Sequence, residues 1–190
     1  MKLLGISGTI VGAKPALLVN AVLNEVKKKD INIETNLLDL REYDMQFSDG
    51  RVPERYNKDT QEMLDADFYL IGTPVFNGSI PAPLKNLFDL LPPATLRNKV
   101  MGFVAVGGTY QHYLMIENQL KPIAGYLRAY TTPSYVYAHN THFNKENENI
   151  DEELLERIEN LAHELIFMQK SFCKAEENTK GKERVETQVV

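Results

Sequence analysis

One short loop of the chain gathers hydroxyls, glycines and a cation: Ser7-Gly8-Thr9-Ile10-Val11-Gly12-Ala13-Lys14-Pro15. Hydroxyl donors, an ammonium and free backbone N–H groups at a helix start are what a phosphate requires, and the positive end of the helix dipole adds to them. Each dipole or charge contribution is worth only about 0.3–1 kcal/mol when exposed, so several donors must converge. The candidate phosphate ligands are Ser7, Thr9 and Lys14, with the backbone that follows at Pro15 and Ala16. Other phosphate loops do not fit. A Walker loop needs Gly-Lys-Ser/Thr, and here Gly12 is followed by Ala13-Lys14-Pro15; the dinucleotide fingerprint needs GxGxxG, and Gly5, Gly8 and Gly12 miss that spacing. A phosphatase loop needs a cysteine nucleophile that this loop lacks. The residues alone leave two readings open, a non-catalytic phosphate cradle and a plain strand-to-helix turn capped by Ser7.

A second loop, Gly72 to Ser79, carries Val75 and Phe76 beside Asn77 and Ser79, with turn residues at Pro74 and Gly78. Apolar surface next to polar rim groups suits a flat aromatic ligand with polar edges. A third, Gly107-Gly108-Thr109-Tyr110, has paired glycines that allow a backbone to approach a ligand closely. His112 follows in the first turn of a helix, where a histidine is more often a packed or capping residue. His139 and His142 have no carboxylate or cysteine partners in their polar loop, so no metal site is expected there.

Each loop follows a buried strand. Apolar β-prone runs at about 2–6, 31–38, 68–71, 100–106 and 135–138 alternate with helical segments: Ala16 to Lys29, Thr60 to Ala66, Ala82 to Leu91, Tyr110 to about Leu120 with a kink or restart at Lys121-Pro122 and a continuation over Ile123 to Arg128, and Asp151 to Lys170. Phe68-Tyr69-Leu70-Ile71 has no polar alternation, as a strand covered on both faces reads. The alternation predicts an α/β fold, a flavodoxin-like doubly wound five-stranded parallel sheet with helices on both faces. In strand order 2-1-3-4-5 the loops after strands one, three and four surround the switch point, where ligands bind. The polar stretch from Leu40 to Asp59, with Tyr43, Phe47 and Tyr56, either covers the ligand or is pinned to the core by its aromatics. One domain is expected over residues 1–170, and 171–190 reads as a polar, mobile tail.

Bulk composition narrows the classes. The 190 residues carry a net charge of −5, so no basic field exists for nucleic acid or an anionic membrane. The single cysteine, Cys173, excludes an internal disulfide and a CxxC metal site, and no apolar run reaches membrane-span length. A cytoplasmic protein with a small-molecule partner is the expectation.

The stretch GTPVFNGSIPAPLKNLFDLLP resembles the second flavin loop and following helix of the NAD(P)H-dependent FMN reductase family. G-G-T-Y-Q-H resembles the G-G-S-x-x-H of flavin reductases from sulfonate assimilation, with His112 at the histidine. The resemblance implies FMN as cofactor and NADPH or NADH as co-substrate. It places Ser7, Thr9, Lys14, Pro15 and Ala16 at the flavin phosphate, Pro74, Val75, Phe76, Asn77, Gly78 and Ser79 along one side of the ring, and Gly107, Gly108, Thr109 and Tyr110 on the other. Ile10, Val11 and Ala13 depart from the extra Ser and Arg that many members carry in the first loop. Asn118 stands where sulfonate-type members have a tyrosine that lengthens the helix, which favours an enzyme that keeps its FMN. The acceptor is a free flavin, quinone or azo compound; hydride transfer requires no acid–base side chain, so no catalytic residue is named. A homodimer or homotetramer is implied, with the helix after the second loop against a neighbour, although Leu87, Phe88 and Leu91 can instead face their own sheet. A flavodoxin-type electron carrier and a flavin-free anion-binding module are the alternatives.

Overall fold

A computed structural model describes residues 1–43, 46–51, 58–92, 94–144 and 150–187, with the side chains of 58–60 and 176–187 outside that description. The chain runs β1 (Lys2–Ser7), α1 (Lys14–Lys29), β2 (Glu34–Asp39), α2 (Lys58–Asp65), β3 (Phe68–Pro74), α3 (Ala82–Leu90), β4 (Val100–Gly107), a π-turn (Ile116–Leu120) leading into α4 (Lys121–Tyr126), β5 (Tyr130–Thr131), β6 (Val136–His139) and α5 (Glu152–Thr187). The sheet order is β2-β1-β3-β4-β5, with β6 also on β4, and every pairing is parallel. β3 and β4 are buried along their whole length, as their unbroken apolar runs require. One core joins the sheet to Met63, Leu84, Leu87, Phe88 and the π-turn residues, and the other joins it to α1 and α5. This is the flavodoxin-like α/β architecture expected.

Four details differ from the sequence reading. First, β2 starts at Glu34 rather than Ile31, because Asp30 accepts from the backbone N–H of Asn32 at 3.0 Å and folds residues 30–33 into a turn, leaving Ile31 82% exposed. Second, the fifth sheet position is split into β5 and β6 around Thr132-Pro133-Ser134, where the proline has no N–H for a ladder. Third, the helix does not restart at Pro122. The chain widens by one residue, Lys121 N–H donating to Ile116 O, at the point where the proline would leave the Asn118 carbonyl unmatched. A tyrosine at 118 is therefore not needed for a lengthened helix. Fourth, the last helix continues past Lys170 to Thr187; Lys170 pairs with Asp30 at 2.7 Å and Phe172 stacks on Tyr130 at 4.2 Å. Leu87, Phe88 and Leu91 are buried against their own sheet.

In the long loop, Tyr43 packs on the core, Phe47 is 85% exposed, and Tyr56 lies outside the described residues. Residues 46–48 are tied to α3, since Asn86 donates to Gln46 O at 2.9 Å and accepts from Ser48 N–H at 2.8 Å.

At the end of β2, Asp39 is buried, caps the following turn at Arg41 N–H and pairs with the Arg41 guanidinium. Burial pushes its carboxyl up, but the Arg41 bonds and charge outweigh burial and hold it below the usual carboxylate range. A lowered native pKa stabilises the fold above the unfolded value of about 4, and this contribution fades as pH falls through the native value. Asp39→Ala is expected to cost about 1–2 kcal/mol at pH 7. In acid titrations followed by circular dichroism, the difference between variant and wild type should shrink below about pH 4.

Candidate flavin site

The carboxyl ends of β1, β3 and β4 form an open cleft of about 380 Å³, lined by Val11 to Pro15, Pro74 to Phe76, Val106 to Gly108 and Asn140. The first loop is carried across to β3 by the Gly8 N–H, which donates to Gly72 O at 2.7 Å. Gly8 permits this approach: a Cβ there would stand 2.8 Å from Leu84 and 3.0 Å from the Gly72 carbonyl. Gly12 takes φ +78°, a left-handed turn that brings the chain into α1.

At this end of the cleft α1 opens without a side-chain cap, because Ala13 offers no acceptor, and its first turn contains no acidic residue. The positive end of the helix is thus left for a ligand. Lys14 adds a full charge. Its Nζ donates to Asn140 Oδ1 at 2.9 Å and lies 5.3 Å from the centre of the Phe143 ring.

The second loop is a two-residue hairpin turn. Asn77 and Gly78 have φ of 51° and 76°, and Phe76 and Ser79 exchange backbone hydrogen bonds at 2.9 Å. This geometry holds Val75 half-buried on the cleft wall and leaves Phe76 42% exposed at its edge. Gln119 of the π-turn braces the loop, accepting from the Ser79 hydroxyl at 2.6 Å and donating to Gly78 O at 3.0 Å.

The third loop is held by the chain after β4. Tyr137 donates to Thr109 O at 2.6 Å, His139 Nε2 lies 2.6 Å from Gly108 O, and the Tyr110 ring stacks on His139 at 4.6 Å. Burial pushes the Tyr137 phenol up, so it remains a donor.

The three loops expected to meet do meet, but not every side chain faces the cleft. Lys14, Pro15, Pro74, Val75, Phe76, Gly107 and Gly108 line it. Ser7, Thr9 and Ala16 are buried in the wall behind it. Ser7 stands opposite Asp39 on the neighbouring strand, and the Thr9 hydroxyl bonds within its own loop, donating to Val11 O at 2.8 Å and accepting from Val11 N–H at 3.2 Å. Asn77, Gly78 and Ser79 form the turn, and Thr109 and Tyr110 turn toward β6. His112 is exposed rather than packed, and His142 is buried, accepting from His139 N–H at 2.9 Å. Sequence reading missed Asn140, Tyr137 and Gln119, and weighed His139 only as a metal ligand. Asn140 follows β6 and His139 ends it, at the same sheet edge as the other loops, a signal that was available.

The site fits a phosphorylated flat aromatic molecule. One end carries a cation and an uncapped helix, the middle carries Val75 and Phe76, and at Gly108 a Cβ would meet nothing within 4 Å, so that backbone is open to a ligand. Among the described residues no group of three metal-ligating side chains converges, and no helix is long and apolar enough to cross a membrane.

The fold is flavodoxin-like, and the cleft lies at the carboxyl ends of its strands. The family model for NADPH-dependent FMN reductase matches residues 1–143. An NAD(P)H-dependent FAD/FMN reductase of Geobacillus thermodenitrificans is 56% identical over 172 residues, which cover 88% of this chain and 93% of that protein. The NADH-dependent FMN reductase SfnF of Pseudomonas fluorescens is 30% identical over 148 residues, 75% of this chain and 79% of its own length. Among solved structures, the apo NADH:FMN oxidoreductase EmoB superposes with a TM-score of 0.73 at 20% identity, covering 90% of this chain and 89% of that one. An archaeal flavodoxin superposes with a TM-score of 0.65 at 12% identity over 90% of this chain and 99% of that one. The chain belongs to the NADPH-dependent FMN reductase family and is an oxidoreductase that uses FMN with NAD(P)H.

Proposed function

We propose that FMN lies across the cleft with its phosphate at Lys14 and the start of α1, and its ring between the Pro74–Phe76 wall and the Gly107–Gly108 backbone. When bound, FMN supplies the redox chemistry, accepting a hydride from NAD(P)H and passing electrons to a small acceptor such as a free flavin, quinone or azo compound. The chain's own work is to bind, orient and shield. Lys14 and the helix N-terminus neutralise a phosphate, Val75 and Phe76 offer apolar surface, and no side chain serves as acid or base. The observation that carries this reading is the uncapped N-terminus of α1 beside Lys14, the one charged side chain among the described residues lining the cleft. The test is steady-state oxidation of NADPH and of NADH with FMN stripped and restored. Activity that follows FMN supports the reading, and a rate indifferent to FMN refutes it.

Residues 1–170 carry the flavin-binding unit in this reading, and the segment from 171 onward is a polar extension. A cytoplasmic setting accords with the single cysteine. We also propose a homodimer, itself able to pair into a tetramer. An apolar groove of about 440 Å³ lies between α3 and α4, lined at its edges by Lys85, Asp89 and Tyr126, the last 85% exposed. A large aromatic next to an apolar groove can fill the same groove on a second copy, as a two-fold interface requires. Tyr126→Asp is expected to convert the dimer to a monomer in sedimentation velocity runs at micromolar concentration; an unchanged sedimentation coefficient would place the interface elsewhere.

A further inference from the structure

Two successive carbonyls of the third loop are taken up from the same side. Tyr137 Oη donates to Thr109 O at 2.6 Å, and His139 Nε2 meets Gly108 O at 2.6 Å. The histidine's tautomer follows from its other nitrogen: Nδ1 accepts from Thr141 N–H at 3.3 Å, so Nε2 carries the proton and donates. Both donors belong to β6, on the flank of β4 away from β3. In a trans peptide the carbonyl and the next N–H point in opposite directions. Binding the Gly108 and Thr109 carbonyls to Tyr137 and His139 therefore turns the Thr109 and Tyr110 N–H groups away from those two side chains, in the loop whose Gly107 and Gly108 line the cleft.

The clamp is built into the packing. A Cβ on Gly107 would fall 1.8 Å from Tyr137 Oη, so glycine at 107 makes room for the phenol, while a Cβ on Gly108 would meet nothing within 4 Å. His139 is fixed in turn by its backbone N–H to the buried His142 Nδ1 at 2.9 Å and by the stacked Tyr110 ring, with an interplanar angle of 21°.

We propose that Tyr137 and His139 are positioning residues for the flavin ring. By holding two carbonyls outward they present the N–H groups of Thr109 and Tyr110 to the carbonyl-bearing edge of the isoalloxazine. Neither side chain touches the ring. This inference rests on the reading that the ring lies against the third loop.

The test titrates FMN and riboflavin, by flavin fluorescence, into apo wild type, Tyr137→Phe, His139→Leu and His139→Gln, with the midpoint potential of the bound flavin as a second readout. Tyr137→Phe and His139→Leu are expected to raise the dissociation constants of FMN and riboflavin by the same factor, about three- to tenfold, because the loss lies at the ring. They should also lower the midpoint potential, since N–H donors favour the electron-rich reduced ring. His139→Gln, which retains an N–H donor, should recover most of both. Unchanged constants and potential in Tyr137→Phe and His139→Leu, with wild type binding flavin, would overturn the clamp alone. So would a loss confined to FMN, which would place the effect at the phosphate. Should Tyr137→Phe fold poorly, the Leu and Gln variants at 139 decide the matter. Wild type that binds neither flavin would overturn the flavin reading and the clamp together.

Discussion

Lys14→Ala is expected to weaken FMN binding about 10- to 100-fold while leaving riboflavin binding nearly unchanged. Lys14 is the only charged side chain among the described residues lining the cleft, and it stands in the first turn of a helix whose N-terminus no side chain caps. Asn140 and Phe143 hold its ammonium in place, at 2.9 Å and 5.3 Å, so little side-chain entropy remains to be lost on binding. A charge-assisted contact with a phosphate contributes about 1.5–3 kcal/mol, which converts to the stated range in the dissociation constant. Riboflavin has the same ring without the phosphate, so it isolates the two ends of the site. Fluorescence titration of both flavins checks the prediction. Equal losses would show that Lys14 acts on the ring or the loop, and no loss of FMN would remove the phosphate from this end of the cleft.

Phe103→Ala is expected to lower the melting temperature of the apoprotein by about 6–20 °C. Phe103 is fully buried in the middle of β4, opposite Ile71 on β3, and it belongs to the core beneath α3 and the π-turn. Truncating a buried phenylalanine removes its transfer free energy and leaves a cavity, together about 3–5 kcal/mol. At roughly 2–4 °C per kcal/mol for a domain of this size, the shift follows. The same strand ends in the third loop, so scanning calorimetry with saturating FMN should recover part of the loss. Ligand at 100 times its dissociation constant returns about 2.7 kcal/mol. A shift of a degree or two would mean that the core collapses around the missing ring.

The sheet and its order of loops were legible because they rest on local signals. The unbroken apolar runs of β3 and β4, the turn residues after β3 and the amphipathic spacing of Leu84, Leu87 and Phe88 each specify their own segment. What was hidden depends on contacts across the chain. Lys14 and Asn140 are 126 residues apart, and only its place directly after a strand at the shared sheet edge, not its residue type, marks Asn140 as part of the site. Ser7 and Thr9 have the right chemical type for a phosphate, but one is the last residue of a buried strand and the other closes its own loop, so their hydroxyls shape the wall rather than line the cleft. Gly107 was read as room for a ligand; its backbone lines the cleft, and the space where a side chain would stand is taken by Tyr137. Pro122 was read as a kink or restart, and the form it takes is a widening by one residue, whose Gln119 reaches the second loop. These are cases in which the residue type was informative and its direction was not.

The most direct measurement is the visible absorption spectrum of the protein reconstituted with FMN and desalted, recorded anaerobically before and after NADPH and then NADH. A flavin band that stays with the protein and bleaches with at least one nucleotide is the predicted result. A retained band that neither nucleotide bleaches would contradict the account and make the protein an electron carrier.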